Sequence, residues 1–317
     1  MMTYIILVLS LAGIVFGADY LVAGAVSIAR KYKVSDFVIG AAIVGVGTSM
    51  PELTVSLIGA LEGNAAVAIG NVVGSNIFNI LGILGITALF FPITITRENM
   101  RFDLPVCVAV SVLLTLLVFS FFTGGTPVIG RMDGIILLVC FGIFMCSSFY
   151  RDKQSHKGGI SGDKEETVPL WKSALKAAVG LAVLIISCDQ FVENAVKVAK
   201  SFGVSDAFIS LTLIACGTSL PELAASIAAA FKKNTQLALG NIIGSNIFNI
   251  TWILGLSALI TPLDSSSITG LDYMVMTAAA VLPMIFGLKG RIGRAAGAFM
   301  LTGFIVYTWY LSTLQAP

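Results

Sequence analysis

Charged side chains are scarce in this sequence. Asp, Glu, Lys and Arg together make up 11% of its 317 residues, where ordinary globular chains carry about 25%. Hydrophobic residues reach 57% and mean hydropathy is +0.96. That balance excludes a soluble globule and points to a chain whose surface meets lipid. Histidine occurs once, as His156, so zinc held by paired histidines and His-based catalysis are excluded. No catalytic residue, no cofactor and no enzyme activity are expected. The five cysteines, Cys107, Cys140, Cys146, Cys188 and Cys216, fall in apolar stretches without paired spacing. We read them as reduced packing residues, not as a disulfide frame or a metal cluster. A net charge of +2 leaves no footprint for nucleic acid. The N-terminus lacks a basic leader, so residues 3–24 read as a retained span.

Long polar segments are equally rare, and residues 151–168 form the single one. A bilayer core takes about 20 helical residues. On that measure the chain holds ten spans, over 3–24, 37–61, 66–91, 104–122, 133–150, 172–194, 207–231, 236–261, 272–288 and 295–314. The expected fold is therefore an all-α integral membrane protein. It divides into a five-helix half over 1–150, a linker over 151–168 and a second five-helix half over 169–317.

The halves are copies. Adding 170 to a residue number takes Asp19 to Asp189, Glu52 to Glu222, Asn79 to Asn249 and Pro92 to Pro262 without a gap. Between Gly70 and Gly85 the match to Gly240–Gly255 is 12 of 16 positions. An odd number of spans per copy forces the second copy to insert upside down, which is the inverted-repeat plan of secondary transporters. Lysine and arginine set the orientation. Counting alternate loops, Arg131, Lys197 and Lys200 lie on one side and the other 16 basic residues on the opposite side. Basic loops stay cytoplasmic, so both termini are expected outside and the linker inside.

The repeated motifs carry the chemistry. Gly47-Thr48-Ser49-Met50-Pro51-Glu52 recurs as Gly217-Thr218-Ser219-Leu220-Pro221-Glu222. A charge at membrane depth costs roughly 2.5–3.5 kcal/mol even on the lenient insertion scale, so each glutamate is a functional candidate. Proline removes a hydrogen bond and opens the helix near Gly47, and the freed carbonyls survive only against protein or a water-filled cavity. Gly45, Thr48, Glu52, Ser56 and Gly59 share a helical face, as do Ala215, Thr218, Glu222, Ser226 and Ala229. The next span adds Asn71, Ser75 and Asn79, and its copy adds Asn241, Ser245 and Asn249. Oxygen-only donors with two carboxylates suit calcium or sodium, whereas magnesium demands tighter octahedral geometry. We read the two stretches as halves of one cation site. Asp19 and Asp189 read as interfacial or capping residues, Glu62 and Glu193 as solvated. Trp171, Trp252 and Trp309 read as anchors or packing. A passive channel or a scaffold would not need matched halves each broken at midspan.

These stretches, with the paired Gly-Ser-Asn-Ile-Phe-Asn of residues 74–79 and 244–249, resemble the repeats of the sodium/calcium exchangers in the cation/calcium antiporter superfamily. The resemblance is specific over 36–92 and 206–262. It implies ten helices in two inverted halves and exchange of external sodium for internal calcium by alternating access. Glu52 and Glu222 would be the central ligands. Thr48, Ser49, Thr218 and Ser219 would add hydroxyls and carbonyls, with the backbone of Gly45 and Ala215. Ser75, Asn79, Ser245 and Asn249 would complete the ion sites, and spans one and six would be the sliding gate. Potassium-dependent members carry aspartate at the position of Asn249, so an amide there implies potassium independence. Proton-coupled members carry a different motif around the glutamate, which favours sodium. The residues alone leave protons open, because two close glutamates can share one. The short linker fits a prokaryotic type in the inner membrane. The expected partners are sodium and calcium ions and the lipid bilayer, and nothing in the sequence demands an oligomer.

Overall fold

Helix-breaking residues and polar caps divide the apolar spans, and the division is visible in a computed structural model that describes residues 2–119, 127–155, 169–202 and 216–314. In chain order the helices are α1 (Met2–Tyr32), α2 (Asp36–Thr48), α3 (Met50–Leu61), α4 (Ala65–Phe90), α5 (Asn99–Val118) and α6 (Arg131–Ser155). Then come α7 (Leu170–Ser201), α8 (Leu220–Phe231), α9 (Thr235–Ile260), α10 (Gly270–Gly287) and α11 (Arg294–Leu314). Among the described residues eight helices are long and apolar enough to cross a membrane, and α2 with α3 forms a bent ninth. Of the expected span 207–231, residues 207–215 lie outside the described part, as do 120–122 of the fourth span. So do His156 and the linker residues 156–168.

Caps set the helix starts. The Ser35 hydroxyl accepts from the Val38 N–H at the head of α2. Asn64 and Asn234, which match across the copies, accept from Val67 and Leu237 at the heads of α4 and α9. Residues 151–155, expected in the linker, instead extend α6. Tertiary contacts hold this turn: the Arg151 guanidinium lies over the Phe102 ring, and Asp152 accepts from the Ser35 N–H at 3.0 Å. Four two-residue strands, β1 (Ile93–Thr94), β2 (Val128–Ile129), β3 (Leu263–Asp264) and β4 (Arg291–Ile292), pair antiparallel as β1 with β4 and β2 with β3. Each pair therefore takes one strand from either half.

Burial ranks the helices. The apolar windows of α4 and α9 are 83% buried, against 28% for α1 and 22% for α7. So α4 and α9 form the centre, with α5, α6 and α10 packed around them in one core containing Ile77, Ile80, Leu114, Ile247 and Tyr273. Helices α1 and α7 lie outside it and close a second core with α2 and α8, around Leu21, Val22, Leu184 and Ala225. Here the helices meet backbone to backbone: a Cβ on Gly17 would lie 2.6 Å from the Leu184 nitrogen. Small residues substitute for hydrophobic attraction in lipid by letting backbones approach. The tryptophans divide likewise. Trp252 is packed against Phe141 and Phe248, while Trp171 and Trp309 face outward.

The close crossing makes a prediction. Gly17→Leu should separate α1 from α7 and lower stability by roughly 1–3 kcal/mol, the usual cost of overpacking. Gly142→Leu, at a position with no neighbour within 4 Å, should change stability by less than about 0.5 kcal/mol. Thermal melts of the two detergent-purified variants decide it, and equal melting would refute the tight crossing.

Candidate ion site

The bend between α2 and α3 is 49° and falls at Ser49, whose φ and ψ are −82° and 11°. Ser219, at the head of α8, has −91° and 8°. Both residues occupy the bridge region, which is sparsely allowed and common at functional sites. Pro51 and Pro221 follow at the first turn of the next helix, where a missing N–H costs nothing. The proline thus starts a new helix rather than kinking an old one. Glu52 and Glu222 sit in that first turn, where the positive end of the helix favours a carboxylate.

Each break reaches across to the other. Ser49 Oγ donates to Glu222 Oε1 at 2.8 Å, and Ser219 Oγ donates to Glu52 Oε1 at 2.7 Å. Both glutamates are fully buried and close enough to feel one another's charge. Thr218 and Thr48 lie within interaction range of Glu52 and Glu222 respectively. Thr48 is fully buried and Thr218 half-buried. Ser75 Oγ lies 3.4 Å from Glu52 Oε1 and 3.1 Å from Ser219 Oγ. Ser245 Oγ donates to the Gly45 carbonyl at 3.2 Å, which also receives the Ser49 N–H at 3.1 Å. The Gly45 oxygen, expected as a freed ligand, is therefore hydrogen-bonded. Ala215 lies outside the described residues.

Asn79 and Asn249 are fully buried. Asn79 Nδ2 donates to Asn246 Oδ1 at 2.9 Å, and Asn249 Nδ2 donates to Asn76 Oδ1 at 3.2 Å. Asn76 and Asn246 in turn exchange amide-to-carbonyl bonds at 3.3 and 3.2 Å. The sequence reading did not single out this second asparagine pair. Its signal was available: two amides, 170 apart, inside otherwise apolar spans. Asn71 and Asn241, which shared the expected oxygen stripe, serve as braces. Each amide donates to the backbone carbonyl of its own glutamate at 3.1 Å and to Ser56 or Ser226 at 2.9 and 2.8 Å.

What remains is a set of acceptors. Glu52 Oε2, Glu222 Oε2, Asn79 Oδ1 and Asn249 Oδ1 are buried without a hydrogen-bond partner. A buried polar group left unpaired costs about 1–3 kcal/mol, more when charged. The four oxygens form two pairs under exchange of the halves, and none can donate in its ionised or amide form. Among the described residues no three His, Cys, Asp or Glu converge, so any cation here is met by two carboxylates and neutral oxygens. That donor set fits a hard cation such as calcium or sodium. The recess of about 350 Å³ lined by Asp36, Glu98, Asp103, Arg151 and Asp152 is at the start of α2 and is lined by neither Glu52 nor Glu222.

The remaining candidates separate from this site. Asp19, expected at an interface or cap, lies within α1 and pairs with Lys232 at 2.6 Å. Glu193 pairs with Lys197 on the exposed surface. All five cysteines are free, with Cys107 and Cys188 buried.

Known proteins resemble this chain over its length. The family model described as sodium/calcium exchanger protein matches residues 2–150 and 172–313. Inner membrane protein YrbG of Escherichia coli is 35% identical over 315 residues, covering 95% of this chain and 94% of that protein. Sodium/calcium exchanger MaX1 of Methanosarcina acetivorans is 32% identical over 347 residues, covering 97% and 99%. Among solved structures, the sodium-calcium exchanger NCX_Mj soaked without Na+ and Ca2+ superposes with a TM-score of 0.84 at 29% identity, over 98% of both chains. NCX_Mj soaked with Na+ and Sr2+ gives 0.82 at 30% identity over 96% of both. With its helices, its crossed serine–glutamate bonds and these full-length matches, the chain belongs to the sodium/calcium exchanger family.

Proposed function

We propose that this chain is a secondary transporter that exchanges sodium for calcium by alternating access, electrogenically and without potassium. The observation that carries the reading is the set of four orphaned acceptor oxygens, paired across the two halves. Calcium and sodium are the cargo. Glu52 and Glu222 are the charged ligands, and Thr48, Ser49, Thr218, Ser219, Ser75, Asn79, Ser245 and Asn249 the neutral ones, with Ala215 through its backbone and Gly45 through a carbonyl that must first release the Ser245 hydroxyl. Two carboxylates supply a charge of −2, which one calcium ion cancels. Sodium ions on the same oxygens would compete with it.

The membrane plan we propose has ten spans in two inverted repeats, 1–150 and 169–317, with the linker 151–168 cytoplasmic and both termini outside. Contacts that swap partners between the halves support the repeat: Ser49 to Glu222 with Ser219 to Glu52, and β1 to β4 with β2 to β3. The left-handed positions support its inversion. Gly63 has φ 73°, and its counterpart Lys233 has φ 60°. Lys33 has φ 54°, and its counterpart 170 residues on is Gly203. Lysine stands on the basic side in both cases and glycine on the other.

Two predictions test this reading. In proteoliposomes an oppositely directed sodium gradient should drive calcium uptake, with the rate responding to an imposed membrane potential and unaffected by potassium. Uptake driven by protons and indifferent to sodium would overturn it. Glu52→Gln and Glu222→Gln should each reduce sodium-driven calcium flux at least tenfold with the fold retained. Wild-type flux in either variant removes that residue from the site.

A further inference from the structure

The C-terminal end of α1, the start of α2 and the C-terminal end of α6 meet at a groove of about 620 Å³ that plays no part in the proposed exchange. Of its lining residues, Tyr32, Lys33, Phe149 and Lys153 are exposed, Ile43 is half-buried and Ile39 is buried. We propose that this groove binds one membrane phospholipid with an anionic headgroup, its phosphate held by Lys33 and Lys153 and an acyl chain running beside α2.

Three observations carry this. First, the depth is right. Ile43 is seven residues beyond Asp36 in α2, about 10 Å farther along the axis at 1.5 Å per residue. This rests on the membrane plan proposed above: with this end of α2 on the cytoplasmic side, the groove leads from headgroup level into hydrocarbon, where an apolar recess offers water no polar partners. Second, the charge is right. Among the described residues Asp152 is the one carboxylate in the wall, and it is 5% exposed with Oδ2 accepting from the Ser35 N–H. Lys33 and Lys153 are both exposed and add two positive charges to this wall. Basic pockets between membrane helices on the cytoplasmic side recognise anionic lipid headgroups. Third, Lys33 occupies the left-handed region (φ 54°), where a non-glycine side chain is strained. Its repeat mate is Gly203, so a cation stands where the copy has the unstrained residue.

Lipid binding is measured without flux, so its outcome is independent of the exchange reading. The detergent-purified full chain is titrated with dioleoyl phosphatidylglycerol and with dioleoyl phosphatidylcholine, and bound lipid is counted by native mass spectrometry. One phosphatidylglycerol should be retained in preference to phosphatidylcholine. Lys33→Gln with Lys153→Gln, both exposed positions, should weaken that retention roughly 30-fold and leave phosphatidylcholine unchanged. Ile43→Trp, which fills the groove with both lysines in place, should displace the lipid. Equal retention of the two lipids by the unmodified chain, or an unchanged preference in the double lysine variant, would overturn the proposal. A phosphatidylglycerol preference that persists in a folded Ile43→Trp protein would overturn it too.

Discussion

The structure depends on two carboxylates that are fully out of water and are each held by a serine from the opposite half. A hydrogen bond to a charged group contributes about 1.5–3 kcal/mol, and removing one partner exposes the full desolvation cost of the other. The shortest bond to each glutamate comes from a serine of the opposite half, so the two breaks meet. That pairing fixes the approach of α2–α3 to α8, and the Asn76–Asn246 exchange repeats the same crosswise logic one layer away on α4 and α9. The centre of the molecule is thereby polar, paired and almost wholly buried, inside helices that are otherwise apolar.

Only one oxygen of each carboxylate is used in this pairing. Had both been capped by donors, the centre would be a finished hydrogen-bond network with nothing to offer an ion. Had neither been capped, two adjacent anions would be unsupported. The intermediate arrangement leaves acceptors aligned with the helix starts, where the backbone field already favours negative charge. Asn249 bears on the same balance: its unpartnered amide oxygen adds an acceptor without adding charge, so the two glutamates remain the only carboxylates among the four open oxygens.

Around this centre the two cores have different mechanical characters. The α4–α9 core interdigitates large side chains, while α1 and α7 touch through glycine and bury little of their surfaces. Interfaces of small residues let the two backbones approach closely. The ion pair of Asp19 with Lys232 ties α1 to the end of α8. The counterparts are Asp189 and Glu62, two acids, so this tie across the halves has no mirrored copy.

Much of this was legible in the residues. Apolar length, the 170-residue repeat and the paired proline–glutamate motifs identified a membrane bundle of two copies with a buried acidic pair, because hydropathy and duplication are linear properties of the chain. Other features were not legible. Asn71 and Ser56 share a helical face with the expected ligands, yet they act as braces, and Asn76 lies off that stripe yet bridges the halves. Helical spacing assigns a residue to a face but not to the partner that will meet it. The sequence by itself determined which groups must leave water and that they come in pairs. The tertiary structure alone decided which oxygens are already satisfied and which remain, because that depends on donors brought from residues 144 to 173 positions away.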